Sequence, residues 1–260
     1  MRHSLIVTVL RAKANPLASP AAVLPWIAAA VGIAAQIAYP LSSGSTLDAV
    51  TLLSVAAFFV AVTAGLGRAA GFRPVLLATA FVLVAGWGVE ALGVHTGIPF
   101  GRYEYTEYAA ALGGSLASVP LVVPFAWAGM APVAVLVGRR LGHPVLAGAG
   151  LLTAWDLFLD PQMVAAGRWH WLDASPALPG IPGVPLTNYL GWLLVSALLV
   201  AVLHKLLPAA HSGVIDLVLY WTYASQVLAA AAFFHRPMVA LIGGVAMGCL
   251  VVPYRLRDRA

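Results

Sequence analysis

Residues 74–94 read PVLLATAFVLVAGWGVEALGV, twenty-one consecutive positions in which Glu90 is the one charged side chain. An α-helix needs about 20 mainly apolar residues to cross the hydrocarbon core of a bilayer, so this run is long enough to span one. No polar stripe recurs every third or fourth residue, as it would on a helix with one face in water. The stretch therefore predicts a membrane helix, with an acid close to one end of it.

The same reading extends in both directions. Apolar windows fall at 21–39, 47–66, 119–138, 144–160, 187–204, 214–234 and 237–253, separated by Gly, Pro, Ser or charged residues. The composition agrees: 62% of the 260 residues are hydrophobic and 9% charged, and the mean hydropathy is +0.93. Lipid is the natural solvent for such a chain. The expected fold is all-α, a polytopic transmembrane helix bundle of eight spans with two long aromatic loops on one side. Seven spans is the alternative, because the fifth window is short, the fourth carries Pro120, Pro124 and Pro132, and only His235-Arg236-Pro237 separates the last two. Residues 1–260 are expected to form a single integral membrane domain, in which 1–18 is a basic interfacial segment. Arg11 and Lys13 argue against reading that segment as a cleaved signal peptide.

Basic residues set the orientation, since cytoplasmic loops collect Lys and Arg. With the N-terminus inside, eleven of the 14 fall on the inner side and only Arg102, Arg168 and Arg236 on the outer side. This predicts a multi-pass protein of the cell (plasma) membrane with both termini cytoplasmic. The net charge of +5 is thus loop punctuation, and no basic patch interleaved with aromatics points to nucleic acid. Cys249 is the one cysteine and lies in an apolar run, so no internal disulfide is available.

Two loops exceed what a connector needs: residues 95–118 and 161–186, both on the outer side and both rich in Trp, Tyr, Gly and Pro. Next to them lie three acids at the ends of spans, Glu90, Asp156 and Asp160. An unpaired charge at lipid depth costs at least ~2.5–3.5 kcal/mol, so such residues mark function. Asp156 and Asp160 are four apart and share a helix face, close enough to share a proton. The structural reading of all three acids is that they cap loop amides or pair with Arg102 and Arg168 across the interface. Asp48 and Asp216 are expected at helix starts, where a carboxylate meets the positive end of the dipole, and Glu104, Glu107 and Asp173 in solvated loops. No two of the seven histidines lie three or four apart, so a histidine metal site has no support; His95 and His170 draw interest because they sit in the long loops. No phosphate loop, nucleophile elbow or dinucleotide fingerprint is present.

Two segments carry a resemblance. The first is Glu90 followed by His95-Thr96-Gly97-Ile98-Pro99-Phe100-Gly101-Arg102-Tyr103-Glu104-Tyr105. The second is Asp156 to Pro161 followed by Trp169-His170-Trp171 and by Pro185-Leu186-Thr187-Asn188-Tyr189-Leu190-Gly191-Trp192. Together they resemble the CruF-type membrane carotenoid hydratases, a family that includes bisanhydrobacterioruberin hydratase and gamma-carotene 1,2-hydratase. The resemblance covers residues 80–200, the motif-bearing catalytic region; Pro182-Gly183-Val184-Pro185 departs from the simpler Gly-Ile-Pro turn of the family, for which Ile181-Pro182 is the alternative.

The resemblance implies a cofactor-independent carotenoid hydratase. It would add water across the terminal 1,2 double bond of a linear carotenoid such as bisanhydrobacterioruberin, gamma-carotene or a lycopene derivative, giving a tertiary alcohol. A carboxylic acid kept protonated by apolar surroundings would protonate the alkene, and a held water would attack the resulting cation. The candidate catalytic residues are Glu90, Asp156 and Asp160, with Asp156 or Asp160 as the acid and Glu90 orienting or deprotonating the water. Candidate substrate-binding residues are Trp87, His95, Tyr103, Tyr105, Trp155, Trp169, His170, Trp171, Asn188, Tyr189 and Trp192. The aromatic ones would present ring faces to the cation, although Trp and Tyr also gather at membrane interfaces for amphipathic reasons alone.

No cofactor and no metal is expected. The partners implied are a long-chain carotenoid, water, membrane lipid and other carotenoid enzymes. Three other readings stay open: a proton-coupled lipid transporter, a carotenoid-binding subunit without activity, and a magnesium-dependent prenyltransferase. The last rests on an aspartate pair similar to the acidic motifs of membrane prenyltransferases.

Overall fold

A computed structural model describes residues 20–257, so the expected interfacial segment 1–18 lies outside the described residues. Eight long helices run through them: α1 (Pro20–Ala38), α2 (Gly44–Ala70), α3 (Phe72–Thr96), α4 (Val122–Leu141), α5 (Pro144–Ala165), α6 (Leu186–Leu206), α7 (Gly213–Leu228, extended by a π-helical turn at Ala229–Phe233) and α8 (Pro237–Arg257). Each corresponds to one of the eight apolar windows. Seven of them, all but α5, are long and apolar enough to cross a bilayer. The chain is therefore an integral membrane protein. The helix α5 has the length of a span, but its C-terminal half carries Asp156, Asp160, Pro161 and Gln162. It also runs to Ala165, beyond the expected end at residue 160, which places Asp160 more than a turn inside the helix.

At the centre stands α4, every residue of which is buried from Trp127 to Gly138. Small residues make this possible, because Gly and Ala let helix backbones approach closely where lipid supplies no hydrophobic drive between helices. At Gly138 an added Cβ would lie 2.3 Å from the Pro144 carbonyl oxygen, and at Gly148 one would lie 3.0 Å from that of Ala134, so α4 and α5 touch nearly backbone to backbone. Around this pair α2, α3, α6 and α8 pack directly on α4. The large apolar residues left exposed, such as Leu76, Leu77, Val84 and Leu198, point outward where a soluble protein would place charge.

The two long loops are ordered and sewn together. Strand β1 (Tyr103–Tyr105) of the first pairs antiparallel with β4 (Trp169–Trp171) of the second, with Tyr103 opposite Trp171 and Tyr105 opposite Trp169. Two further ribbons, β2 (Ser115–Leu116) with β3 (Val119–Pro120) and β5 (Ala177–Leu178) with β6 (Ile181–Pro185), fold each loop back on itself. The loops form a cap over one end of the bundle. It is anchored at Arg168, 4% exposed, which donates to Asp48 at 2.5 Å and to the Tyr108 carbonyl at 2.6 Å. Asp48 thus serves as a tie between α2 and the cap, in the second turn of its helix, where a dipole role was expected. Asp216 stands in the first turn of α7 as expected, and accepts from the Tyr254 hydroxyl at 2.7 Å.

The cap meets α6 at Gly191, where a Cβ would lie 2.7 Å from the Pro99 carbonyl oxygen and 2.8 Å from the Phe100 ring. Gly191→Ala is expected to lower stability by about 1–3 kcal/mol through overpacking, read as a lower Tm in detergent. Gly88→Ala, which meets nothing within 4 Å, should leave Tm unchanged or raise it.

Candidate active site

The alternation of an extended strand decides which loop residues face the bundle. In β1 and β4 the odd positions Tyr103, Tyr105, Trp169 and Trp171 turn inward, while Glu104 and His170 turn out and are exposed. The inward hydroxyls reach Glu90, on the buried side of α3. Tyr103 and Tyr105 donate to Glu90 Oε2 at 2.6 and 2.9 Å, and the Trp127 indole N–H donates to Oε1 at 3.1 Å. Both carboxyl oxygens of Glu90 thus serve as acceptors, with donors from α4 and from the cap.

The two aspartates of α5 form a second cluster around Asn188 at the start of α6. The Asn188 amide donates to Asp156 Oδ2 at 2.9 Å and to Asp160 Oδ2, and the Trp169 indole donates to Asp160 Oδ1 at 3.0 Å. The carboxyls of Asp156 and Asp160 are within hydrogen-bond reach of each other. Asp156 is fully buried, and its Oδ1 has no partner among the described residues. The Tyr189 hydroxyl is likewise buried without a partner. No cationic side chain among the described residues pairs with Glu90, Asp156 or Asp160: Arg168 takes Asp48 and His211 pairs with Asp216. The structural reading of the three acids as partners of Arg102 and Arg168 is thereby set aside.

Glu90 and Asp160 front one cavity of about 200 Å³, whereas Asp156 lies behind Asp160 and does not line it. Its wall near the carboxyls is aromatic. Trp127 and Trp192 stack at 4.0 Å with planes 10° apart, Trp155 meets Trp192 edge-on at 6.3 Å, and Tyr105 meets Trp169 edge-on at 5.5 Å. The Trp171 indole donates to the Phe100 carbonyl at 2.9 Å, fixing its ring beside Tyr103.

Of the residues singled out from the sequence, Glu90, Asp160, Tyr103, Tyr105, Trp155, Trp169, Trp171, Asn188 and Trp192 come together at the cavity, with Asp156 directly behind. Tyr189 is buried beside the aspartates but off the cavity wall. Trp87, His95 and His170 lie outside it; Trp87 donates to the Leu116 carbonyl at 3.1 Å and so supports the cap. Sequence reasoning missed Trp127, which both holds Glu90 and stacks on Trp192. Its signal was a Trp in the middle of an apolar window, where interface anchoring does not place one. Among the described residues no three His, Cys, Asp or Glu side chains converge as a metal cluster.

The bundle thus encloses an aromatic chamber fronted by Glu90 and Asp160, with no cationic partner for either among the described residues. Comparison with known proteins gives the family. Residues 47–252 match the carotenoid biosynthesis protein family, and the chain belongs to it. It is also similar to bisanhydrobacterioruberin hydratase of Haloarcula japonica, at 31% identity over 126 residues. That match spans 45% of this chain and 41% of the relative, less than half the length of either. No solved structure matches the fold.

Burial and the neighbouring Glu90 push the ionisation of the Tyr103 and Tyr105 phenols up. Folded phenols that hold protons more tightly than unfolded ones stabilise the fold fully below the ordinary phenol range, about pH 10, and lose that contribution as pH rises through it. The Tyr103→Phe/Tyr105→Phe double variant should therefore be less stable at neutral pH, by about 1–3 kcal/mol for donors to a carboxylate, and less sensitive to alkali than the parent. Thermal melts between pH 7 and 11 check both.

Proposed function

We propose that the protein is a carotenoid hydratase, adding water to the terminal double bond of a linear carotenoid dissolved in the same bilayer. The observation that carries this reading is the pair of carboxyls, Glu90 and Asp160, set in one aromatic cavity with hydrogen-bond donors but no cationic partner among the described residues. Such a site is suited to moving a proton onto an apolar substrate. Membership of the carotenoid family and similarity to a protein named as a hydratase support the same reaction.

Asp160, which faces the cavity, is the proton donor; Asp156 shares its proton from behind, through the contact that Asn188 braces. Protonation of the alkene carbon converts the π pair into a C–H bond and leaves a tertiary cation at the dimethyl carbon. The faces of Trp127, Trp192, Trp155 and Tyr105 stabilise that cation, and Glu90, held as an acceptor by three donors, lowers its energy further. A water lone pair then closes the C–O bond, and the water's surplus proton passes to a carboxylate, restoring the acid. The balance is one alkene and one water for one tertiary alcohol. The capped end and the asymmetry of basic residues support a site on the outer side of the plasma membrane, with both termini cytoplasmic.

Expression in cells that make lycopene, gamma-carotene or bisanhydrobacterioruberin, with mass spectrometry of the pigments, tests the reaction. A gain of one water per hydrated end is expected, and Asp160→Asn and Glu90→Gln should each lower that conversion about 100-fold or more. Parent-level hydration by both variants would refute the acid mechanism. Treatment of membranes with a chelator should leave hydration intact; loss of activity would instead favour magnesium-dependent prenyl transfer.

A further inference from the structure

The cavity has a second polar wall that the carboxyl chemistry does not use. Three helices and the turn after the first present polar side chains to it at helical spacing: Gln36 from α1 and Tyr39 just beyond its end, Thr51 and Ser54 from α2, and Thr222, Ser225 and Gln226 from α7. All are neutral. The Gln36 carbonyl oxygen accepts from the Trp221 indole at 2.7 Å and from the Ser225 hydroxyl at 3.4 Å, which fixes the amide and leaves its N–H donors for the cavity. Ser54 and Thr222 are 8% and 3% exposed. Their hydroxyls, like the Gln226 amide, form no hydrogen bond with the described residues, although all three line the cavity. Polar groups at lipid depth normally find partners inside the protein; these three, on residues that line the cavity, are available to a polar molecule within it. The wall reaches the capped end, where Tyr39 lines the cavity together with Gln162 of α5.

We propose that this neutral wall is the water-binding subsite of the chamber, in which Gln36, Ser54, Thr222 and Gln226 hold the water that is added, apart from the carboxyls that move the proton. The inference rests on the hydration reading above. A wall that presents hydroxyls and amides, with no carboxyl or basic side chain among the residues named, retains water without competing for the catalytic proton. Placement of that water decides the fate of the cation, which otherwise loses a proton and returns to alkene.

Deuterated water separates the two steps. Membranes containing the full chain and lycopene, gamma-carotene or bisanhydrobacterioruberin are incubated in it, and deuterium in the recovered alkene is measured alongside hydrated product. Thr222→Val, Ser54→Ala and Gln226→Leu should each lower hydration about tenfold, the loss expected for one hydrogen bond, while alkene exchange stays within about twofold of the parent. Thr222→Ser, which restores the hydroxyl, should recover hydration. Equal losses of exchange and hydration would overturn the subsite, since the wall would then hold the polyene or only the fold. Unchanged hydration in all three variants would overturn it as well. A parent chain with neither exchange nor hydration would refute the hydratase reading itself, a failure distinct from the other two.

Discussion

Everything at the capped end depends on one constraint: a carboxyl placed in a bilayer must find its hydrogen-bond donors within the protein. Glu90 finds three, and two of them come from the loop that follows α3. Because Tyr103 and Tyr105 lie on one strand, satisfying Glu90 also fixes the strand, and pairing of that strand with Trp169–Trp171 fixes the second loop. The second loop in turn supplies the Trp169 donor of Asp160. The acids and the cap thus hold each other in place, which explains how loops of this length remain ordered over a membrane bundle.

The helices below are arranged to leave room for this. Close backbone contact of α4 with α5, permitted by Gly138 and Gly148, brings Trp127 and Trp155 to the same level. Gly191 lets the first loop descend onto α6, next to Asn188 and Trp192. The cavity lies beside these close contacts, walled by the aromatic rings that meet there. Its two walls differ in chemistry, carboxyl and aromatic on one, neutral, with hydroxyls and amides, on the other.

The sequence by itself determined the solvent and the spans. Eight apolar windows became eight long helices, and the short fifth window, weakest by hydropathy, is the helix that falls below the apolarity of a membrane span because it carries the aspartates. It also pointed to Glu90, Asp156 and Asp160, since an ionisable residue in an apolar run stands out without any knowledge of its neighbours. Only the tertiary structure decided what those residues face. Strand pairing turned Tyr103, Tyr105, Trp169 and Trp171 inward and His170 outward, a distinction invisible until register is known. Helix packing put Asp156 behind Asp160, recruited Trp127, and set Gln36, Ser54 and Thr222 on one wall, although 186 positions separate the first from the last. The reason is physical: hydropathy is a property of each segment, whereas a site is made of side chains that meet only once the segments pack.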